Sequence, residues 1–142
     1  MDIADLRQEY TQMGLSREDL DPDPFQQFEG WFQQACSANL PDPNAMSLAT
    51  ASASGAPSLR TVLLKYFDRE GLVFFTNYES RKAAQITENP QVALLFLWIS
   101  LERQVIIEGT AAKISLSGSL KYFTTRPRGN QIGAWCSYQS SV

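Results

Sequence analysis

From Ala45 onward, the chain alternates short apolar segments with turn sequences, and this alternation limits the folds that are open to it. The turns Ser54-Gly55-Ala56-Pro57 and Asp68-Arg69-Glu70-Gly71 are short enough for hairpin connections. The segments between turns and breaks predict five strands: Met46–Thr50, Ser58–Phe67, Leu72–Thr76, Val92–Trp98 and Gln104–Ile114. Antiparallel strands with short helices between them predict a mainly β fold, a small barrel or a strongly curled sheet, whose closure hides the strand edges.

The first third of the chain predicts helices. Asp23 suits an N-cap with Pro24 at the first helical position, and apolar residues at three- and four-residue steps continue to about Ala38. Ser80 suits the N-cap of a short helix that ends near Thr87. Further helical segments are predicted at Ala4–Gln12, Ser117–Thr124 and Gln131–Trp135. We therefore expect one domain over 1–142, with a helical segment at 1–40 and a barrel at 45–142.

The composition excludes several kinds of chemistry. The chain has no histidine, which removes Ser-His-Asp and Cys-His catalysis and histidine-ligated metals. Its two cysteines, Cys36 and Cys136, form no CxxC pair, so no metal site is predicted. Any catalysis must use a cofactor, carboxylates, lysine, arginine or tyrosine.

Charge and hydropathy indicate the cellular location of the protein and the kinds of partner that it binds. The net charge of −3 argues against broad binding of nucleic acid, although a local cluster of cations can still hold a small phosphate ligand. No apolar run approaches the roughly 20 residues that span a bilayer, and Met1–Tyr10 lacks the apolar region of a signal peptide. We expect a cytoplasmic protein without a membrane partner.

Arg60-Thr-Val-Leu-Leu-Lys65 is the first cluster that could carry chemistry. Residues of odd separation on a strand point to opposite faces, so Arg60 and Lys65 diverge unless a bulge or the strand end intervenes. The simpler interpretation is a pair of solvated cations that flank a buried strand.

Two further clusters combine cations with helix ends. Arg81 and Lys82 would lie in the first turn after Ser80, where free N–H groups and the macrodipole favour an anion. Tyr122 and Arg126 are four residues apart and would share a helix face as a phosphate clamp. Ordinary surface charge and a helix C-terminus with terminal cations are the respective alternatives.

Taken together, these segments resemble the pyridoxamine 5′-phosphate oxidase family. The resemblance follows the family order along nearly the whole chain. It rests on Leu6-Arg-Gln-Glu-Tyr10, Arg60-Thr-Val-Leu-Leu-Lys65, Phe75-Thr76, Ser80-Arg-Lys82, Leu101-Glu-Arg-Gln-Val105, Arg126-Pro-Arg-Gly-Asn-Gln-Ile-Gly-Ala-Trp135 and Gln139-Ser-Ser141.

The resemblance implies an FMN-binding split β-barrel, antiparallel and Greek-key-like, that forms a homodimer with FMN at the subunit interface. It also implies oxidation of pyridoxine or pyridoxamine 5′-phosphate to pyridoxal 5′-phosphate, as part of vitamin B6 metabolism. A hydride passes from C4′ of the substrate to flavin N5, and O2 then reoxidises the flavin. The flavin carries the difficult chemistry, which explains how a chain without histidine could serve an enzyme.

The resemblance also assigns individual residues. Those expected at FMN are Arg60, Thr61, Val62, Leu63, Leu64, Lys65, Phe75, Thr76, Arg81, Lys82, Gln104, Gln139 and Ser140. Those expected at the substrate are Lys65, Tyr122, Arg126 and Asn130, with Arg7, Gln8, Glu9 and Tyr10 as a flap. No side chain is assigned as a catalytic acid or base.

Two departures from the family pattern affect these expectations. Asn130 stands where the family has a serine, and the chain ends at Val142, before the family's last active-site strands. We therefore expect weakened FMN binding and little turnover from these 142 residues alone. A catalytically silent FMN- or pyridoxal-phosphate-binding module is the main alternative. A split-barrel reductase for another flavin or deazaflavin substrate is a third, and Lys65, Tyr122 and Arg126 argue against it.

Overall fold

The computed structural model describes residues 14–114, which form five strands, two α-helices and two short 3-10 turns. The strands are β1 (Ala45–Ala51), β2 (Pro57–Asp68), β3 (Gly71–Phe74), β4 (Gln91–Trp98) and β5 (Arg103–Thr110). The helices are α1 (Pro24–Ser37) and α2 (Arg81–Glu88), and the 3-10 turns are Arg17–Asp19 and Ile99–Leu101. No helix within residues 14–114 is long and apolar enough to cross a membrane.

All five strands join one antiparallel sheet in the order β3-β2-β1-β4-β5. The first three strands are consecutive hairpins, and β4 returns on the far side of β1, which is the Greek-key arrangement. The sheet curls into a half-barrel. The predicted mainly β, antiparallel architecture is therefore confirmed, and β1 is its centre.

Helix α1 begins where the sequence predicts. The Asp23 carboxylate accepts a hydrogen bond of 3.0 Å from the Phe25 amide, and Pro24 occupies the first turn. Arg69, in the turn between β2 and β3, forms an ion pair with the same Asp23 carboxylate. The cap therefore also ties the helix to one edge of the sheet.

The hydrophobic core lies between α1 and one face of the sheet. Alternate residues of β1, β2 and β4 point into it, as the two-residue repeat of a strand requires. The Phe28 ring of α1 lies 5.1 Å from the Phe96 ring and 5.0 Å from the Phe67 ring, measured between centroids. Trp98 closes one end of the core, where its indole N–H donates to the Pro43 carbonyl at 2.9 Å. The buried residues of this core are Phe28, Ala35, Met46, Leu48, Val62, Leu64, Leu94, Phe96 and Trp98.

A β-bulge interrupts the pairing of β2 with β3. Leu64 pairs with Phe74 and Tyr66 pairs with Val73, so that Lys65 is the extra residue between them. The bulge reverses the alternation of the strand. Before it Val62 and Leu64 point into the core, and after it Phe67 does so. The sequence allowed for a bulge between Arg60 and Lys65, and the structure has one at Lys65.

The predicted element boundaries agree with the structure to within a few residues. Strand β3 ends at Phe74 instead of Thr76, and β5 ends at Thr110 instead of Ile114. The predicted helical segments Ala4–Gln12, Ser117–Thr124 and Gln131–Trp135 lie outside the described residues. The extent of the domain over residues 1–142 stays a prediction.

Replacing Phe96 with alanine should test the core directly. This side chain is fully buried between Phe28 and Trp98, so Phe96→Ala should lower the free energy of unfolding by about 3–5 kcal/mol. Urea denaturation followed by tryptophan fluorescence measures the change. Leu20→Ala, at a half-exposed position, should change it by less than about 0.5 kcal/mol. Equal losses in both variants would contradict the assigned core.

Candidate anion-binding site at the start of helix α2

The loop from β3 to α2 is fixed by hydrogen bonds around Ser80. The Ser80 side chain is fully buried, and its hydroxyl donates to the Asn77 carbonyl at 2.7 Å. The same oxygen accepts from the Ala83 amide at 3.4 Å, which makes Ser80 the predicted N-cap. Thr76 Oγ1 lies 3.1 Å from Ser80 Oγ. The first turn of α2 is thereby held in one position against the sheet.

Helix α2 turns one polar face towards strand β1. Lys82 and Gln85 are three residues apart, share this face and are each 8% exposed. Lys82 Nζ donates to Ser80 Oγ at 3.4 Å. Arg81, the first residue of the helix, is exposed to solvent. The start of α2 therefore offers one buried and one exposed cation.

Strand β2 brings Arg60 to the same place. Arg60 Nη1 donates to the Leu48 carbonyl at 3.0 Å and to Thr50 Oγ1 at 2.7 Å. Its Nη2 donates to Gln85 Oε1 at 3.4 Å. All three acceptors are neutral, so they fix the guanidinium without cancelling its charge.

The positive charges of the site act on one another. Burial, and secondly the charge of Arg81, lower the pKa of the Arg60 guanidinium below its ordinary value. Burial and secondly the charge of Arg60 lower the pKa of Lys82 in the same way. Within residues 14–114, no carboxylate forms an ion pair with Arg60 or Arg81. A cluster of this kind is suited to a small dianion such as a phosphate monoester.

The structure brings together only part of the run from Arg60 to Lys65. The Val62 and Leu64 side chains belong to the hydrophobic core, whereas Thr61 and Leu63 are exposed on the outer face of the sheet. Phe75 and Thr76 lie in the loop between β3 and α2, close to Ser80 in sequence. The structure therefore places the Arg60, Thr76, Arg81 and Lys82 side chains around one site.

Gln104 lies on the opposite face of the sheet from Arg60. It pairs with Leu97, and both side chains are exposed. Arg60 pairs with Leu48 and Leu48 pairs with Leu94, and both leucines are buried on the core face. One chain therefore does not present Gln104 and Arg60 on a single surface of the sheet.

Lys65 occupies a second location. Lys65 lies five positions after Arg60, which corresponds to about 16 Å along a strand. At the bulge it borders an open cleft of about 430 Å³ between α1 and β2, whose lining residues include Phe32, Cys36, Asn44 and Phe67. The first predicted cluster thus supplies cations to two places.

Sequence reasoning missed Thr50 and Gln85, whose side chains hold Arg60, and Ser58, which holds Gln85. Gln85 Nε2 donates to Ser58 Oγ at 3.0 Å, and Thr50 Oγ1 donates to Gln85 Oε1 at 2.6 Å. The three-residue spacing of Lys82 and Gln85 was the available signal, since it places both on one helix face. The position of Thr50 follows only from the register of β1 with β2, which the sequence does not state.

Nine predicted site residues lie outside the described residues. They are Arg7, Gln8, Glu9, Tyr10, Tyr122, Arg126, Asn130, Gln139 and Ser140. Between residues 14 and 114, no group of three or more cysteine, aspartate or glutamate side chains is arranged to hold a metal ion.

Comparison with known proteins places this chain in a family. A family model described as pyridoxamine 5′-phosphate oxidase matches residues 32–142. A pyridoxine/pyridoxamine 5′-phosphate oxidase of Rippkaea orientalis is 73% identical over the whole of this chain, which covers 67% of that protein.

Solved structures share the fold. PhzG from Burkholderia lata 383, in complex with tetrahydrophenazine-1-carboxylic acid, has a TM-score of 0.83 at 28% identity, over 88% of this chain and 62% of that chain. A pyridoxamine 5′-phosphate oxidase-related, FMN binding protein from Nostoc punctiforme has a TM-score of 0.56 at 20% identity, over 72% of this chain and 55% of that chain. At that identity the second likeness concerns the fold alone.

The curled antiparallel sheet and its two helices are those of a split-barrel protein. Within that class, the chain belongs to the pyridoxamine 5′-phosphate oxidase family, whose curated members are oxidoreductases. It spans about two thirds of the length of the curated relatives that it matches. The predicted family and fold are confirmed.

Buried charge at Lys82 should make the ligand-free chain less stable than a neutral variant. Because folding lowers the Lys82 pKa, its charged form disfavours the folded state, and the penalty disappears as pH rises through the lowered pKa towards the ordinary 10.5. Lys82→Met should therefore raise the thermal midpoint at pH 7, and the gain should shrink as the pH rises towards 10.5, the ordinary pKa of lysine. Calorimetry in an anion-poor buffer measures both. A gain that grows with pH would contradict the assigned cause.

Proposed function

We propose that this protein oxidises pyridoxine 5′-phosphate or pyridoxamine 5′-phosphate to pyridoxal 5′-phosphate, with FMN as cofactor and O2 as electron acceptor. The observation that carries the proposal is the cluster of Arg60, Arg81 and Lys82 in a member of this family, in which neutral acceptors hold Arg60 and Lys82. The substrate is the one in the names of the relatives, and the family resemblance suggests O2 as the acceptor.

The phosphate of FMN fits the described residues. It is a dianion that needs several N–H donors and uncancelled positive charge, and Arg60, Arg81, Lys82 and the first turn of α2 offer both. Bound FMN supplies the hydride acceptor, flavin N5, and the path of electrons to O2. The side chains of this chain bind, orient and exclude water. Phe75 and Thr76 would border the cofactor from the loop before α2.

Lys65 is proposed to serve the substrate. FMN and the substrate each carry a phosphate ester, so a site that holds both needs a cation at each of two positions. Arg60 and Lys65 lie far enough apart along β2 to provide these two positions. We assign the other phosphate ligands to Tyr122, Arg126 and Asn130. The segment Arg7–Tyr10 is proposed as a flap over the substrate, and Gln139 and Ser140 as further FMN contacts.

A homodimer is part of the proposal. Gln104 lies on the outer face of the sheet, away from Arg60, so a second copy is the simplest source of a glutamine for the flavin ring. This outer face also exposes large apolar side chains that a partner could cover, namely Leu59, Leu63, Leu97 and Ile106. With a net charge of −3, we propose a cytoplasmic protein without nucleic-acid or membrane partners.

The proposed function is tested by titrating the 142-residue chain with FMN, followed by an assay with pyridoxine 5′-phosphate in air. Saturable quenching of flavin fluorescence near one FMN per chain, together with pyridoxal phosphate and peroxide formation, would support an oxidase. Binding without turnover would favour the silent FMN-binding module. Failure to bind FMN would overturn the proposed function, together with the assignment of the cation cluster.

Removing one cation of the cluster should weaken FMN binding and leave the fold intact. Arg81→Ala and Lys82→Ala should each reduce the binding free energy by about 1–3 kcal/mol, since each removes a charge-assisted hydrogen bond to phosphate. Fluorescence titration measures the change, and Arg69→Ala, at an exposed arginine outside the site, is the matched control. Unchanged affinity in both site variants would show that neither cation binds the FMN phosphate.

A charge on the outer face should separate the subunits. Ile106→Asp places a carboxylate among exposed apolar side chains, where burial against a partner costs several kcal/mol. Light scattering after gel filtration should then show a monomer where the wild-type chain shows a dimer. Leu20→Asp, at an exposed position before α1, should leave the dimer unchanged. A dimer that survives Ile106→Asp would place the interface elsewhere.

A further inference from the structure

We propose that Gln85, together with Thr50, is a positioning residue that holds the Arg60 guanidinium while leaving its whole positive charge to the phosphate. The inference rests on the proposed function, because it concerns how the FMN phosphate is held. Neither residue was among those expected to touch FMN, and both act through Arg60.

The geometry is a closed chain of hydrogen bonds beneath the guanidinium. Thr50 Oγ1 accepts from Arg60 Nη1 at 2.7 Å and donates to Gln85 Oε1 at 2.6 Å. Gln85 Oε1 also accepts from Arg60 Nη2 at 3.4 Å. On its other side, Gln85 Nε2 donates to Ser58 Oγ at 3.0 Å. The amide oxygen faces the arginine, because a guanidinium can only donate hydrogen bonds. Thr50 is 3% exposed and Gln85 8%, so water does not readily substitute for either.

The count of donors leaves Arg60 free to bind an anion. A guanidinium has five N–H donors. Three bonds to Leu48, Thr50 and Gln85 take both hydrogens of Nη1 and one of Nη2. Among the contacts of residues 14–114, Nε–H and the second Nη2–H therefore remain for a phosphate oxygen pair.

The chemical identity of residue 85 decides how much of the positive charge of Arg60 is available to the phosphate. A glutamate has nearly the same shape and could accept the same bonds from Arg60 and Thr50. It would also neutralise Arg60 and place a negative charge beside the phosphate. The glutamine amide holds the guanidinium equally well and adds no charge, which suits a site that must attract a dianion.

A merely structural role for Gln85 makes a different prediction. If the amide only stabilises the packing of α2 on β1, FMN affinity and folding stability should change together. If the amide preserves the charge of Arg60, FMN affinity should change without a matching change in folding stability. A glutamate should keep or raise stability through an ion pair with Arg60, while FMN binding falls.

The experiment compares Gln85→Glu with Gln26→Glu, which adds the same charge at an exposed position on α1. Each 142-residue chain is titrated with FMN by fluorescence, and its thermal midpoint is measured without FMN. We expect Gln85→Glu to raise the FMN dissociation constant about tenfold or more with no fall in the midpoint, since the glutamate would neutralise the charge that Arg60 offers to the phosphate. Gln26→Glu should leave both quantities near the wild-type values.

Thr50 provides an independent pair of variants in case Gln85→Glu does not fold. Thr50→Val removes the hydroxyl at constant shape and should weaken FMN binding, whereas Thr50→Ser keeps the hydroxyl and should restore it. Wild-type affinity in folded Gln85→Glu or in Thr50→Val would overturn the inference while the proposed function stands. A wild-type chain that does not bind FMN would overturn the proposed function, and the inference with it.

Discussion

The pairing of strand β1 with both β2 and β4 is the constraint on which the rest of the described structure depends. Met46 and Leu48 point from this central strand into the core. The same face of the strand continues to Thr50, and the Leu48 carbonyl and the Thr50 hydroxyl both hold Arg60. The apolar packing and the cationic site are therefore two ends of one strand face. A shift of β1 by one residue against β2 would disturb both at once.

Helices α1 and α2 use this shared face in different ways. Helix α1 covers the apolar part with aromatic rings, and the Phe28 ring contacts the rings of Phe67, Phe96 and Trp98. Helix α2 covers the polar part with Lys82 and Gln85, whose burial is compatible with the fold because each has hydrogen-bond partners. The apolar half supplies rigidity, and the polar half supplies a position at which charge is concentrated without being neutralised. This division explains how an acidic chain can maintain a strongly cationic site.

Local patterns in the sequence were sufficient to predict the helices and strands, and the motifs were sufficient to predict the family. Asp23 and Ser80 were recognisable as N-caps because capping depends on a few neighbouring residues. The order of the strands was not available from such patterns, since the return of β4 beside β1 is a contact between distant segments. For the same reason Thr50 and Gln85 escaped notice, as 35 residues separate them. The side on which Gln104 lies relative to Arg60 also required the register of β4 with β5.

The bulge at Lys65 has a consequence for how this strand can vary in evolution. Arg60 and Phe67 are seven residues apart, an odd number, yet both side chains project from the same face of β2 because Lys65 is the extra residue between them. Substitutions within the segment alter one contact at a time. A single insertion or deletion would turn either the arginine or the phenylalanine outward. We therefore expect the length of this segment to be more invariant across the family than any one of its apolar residues.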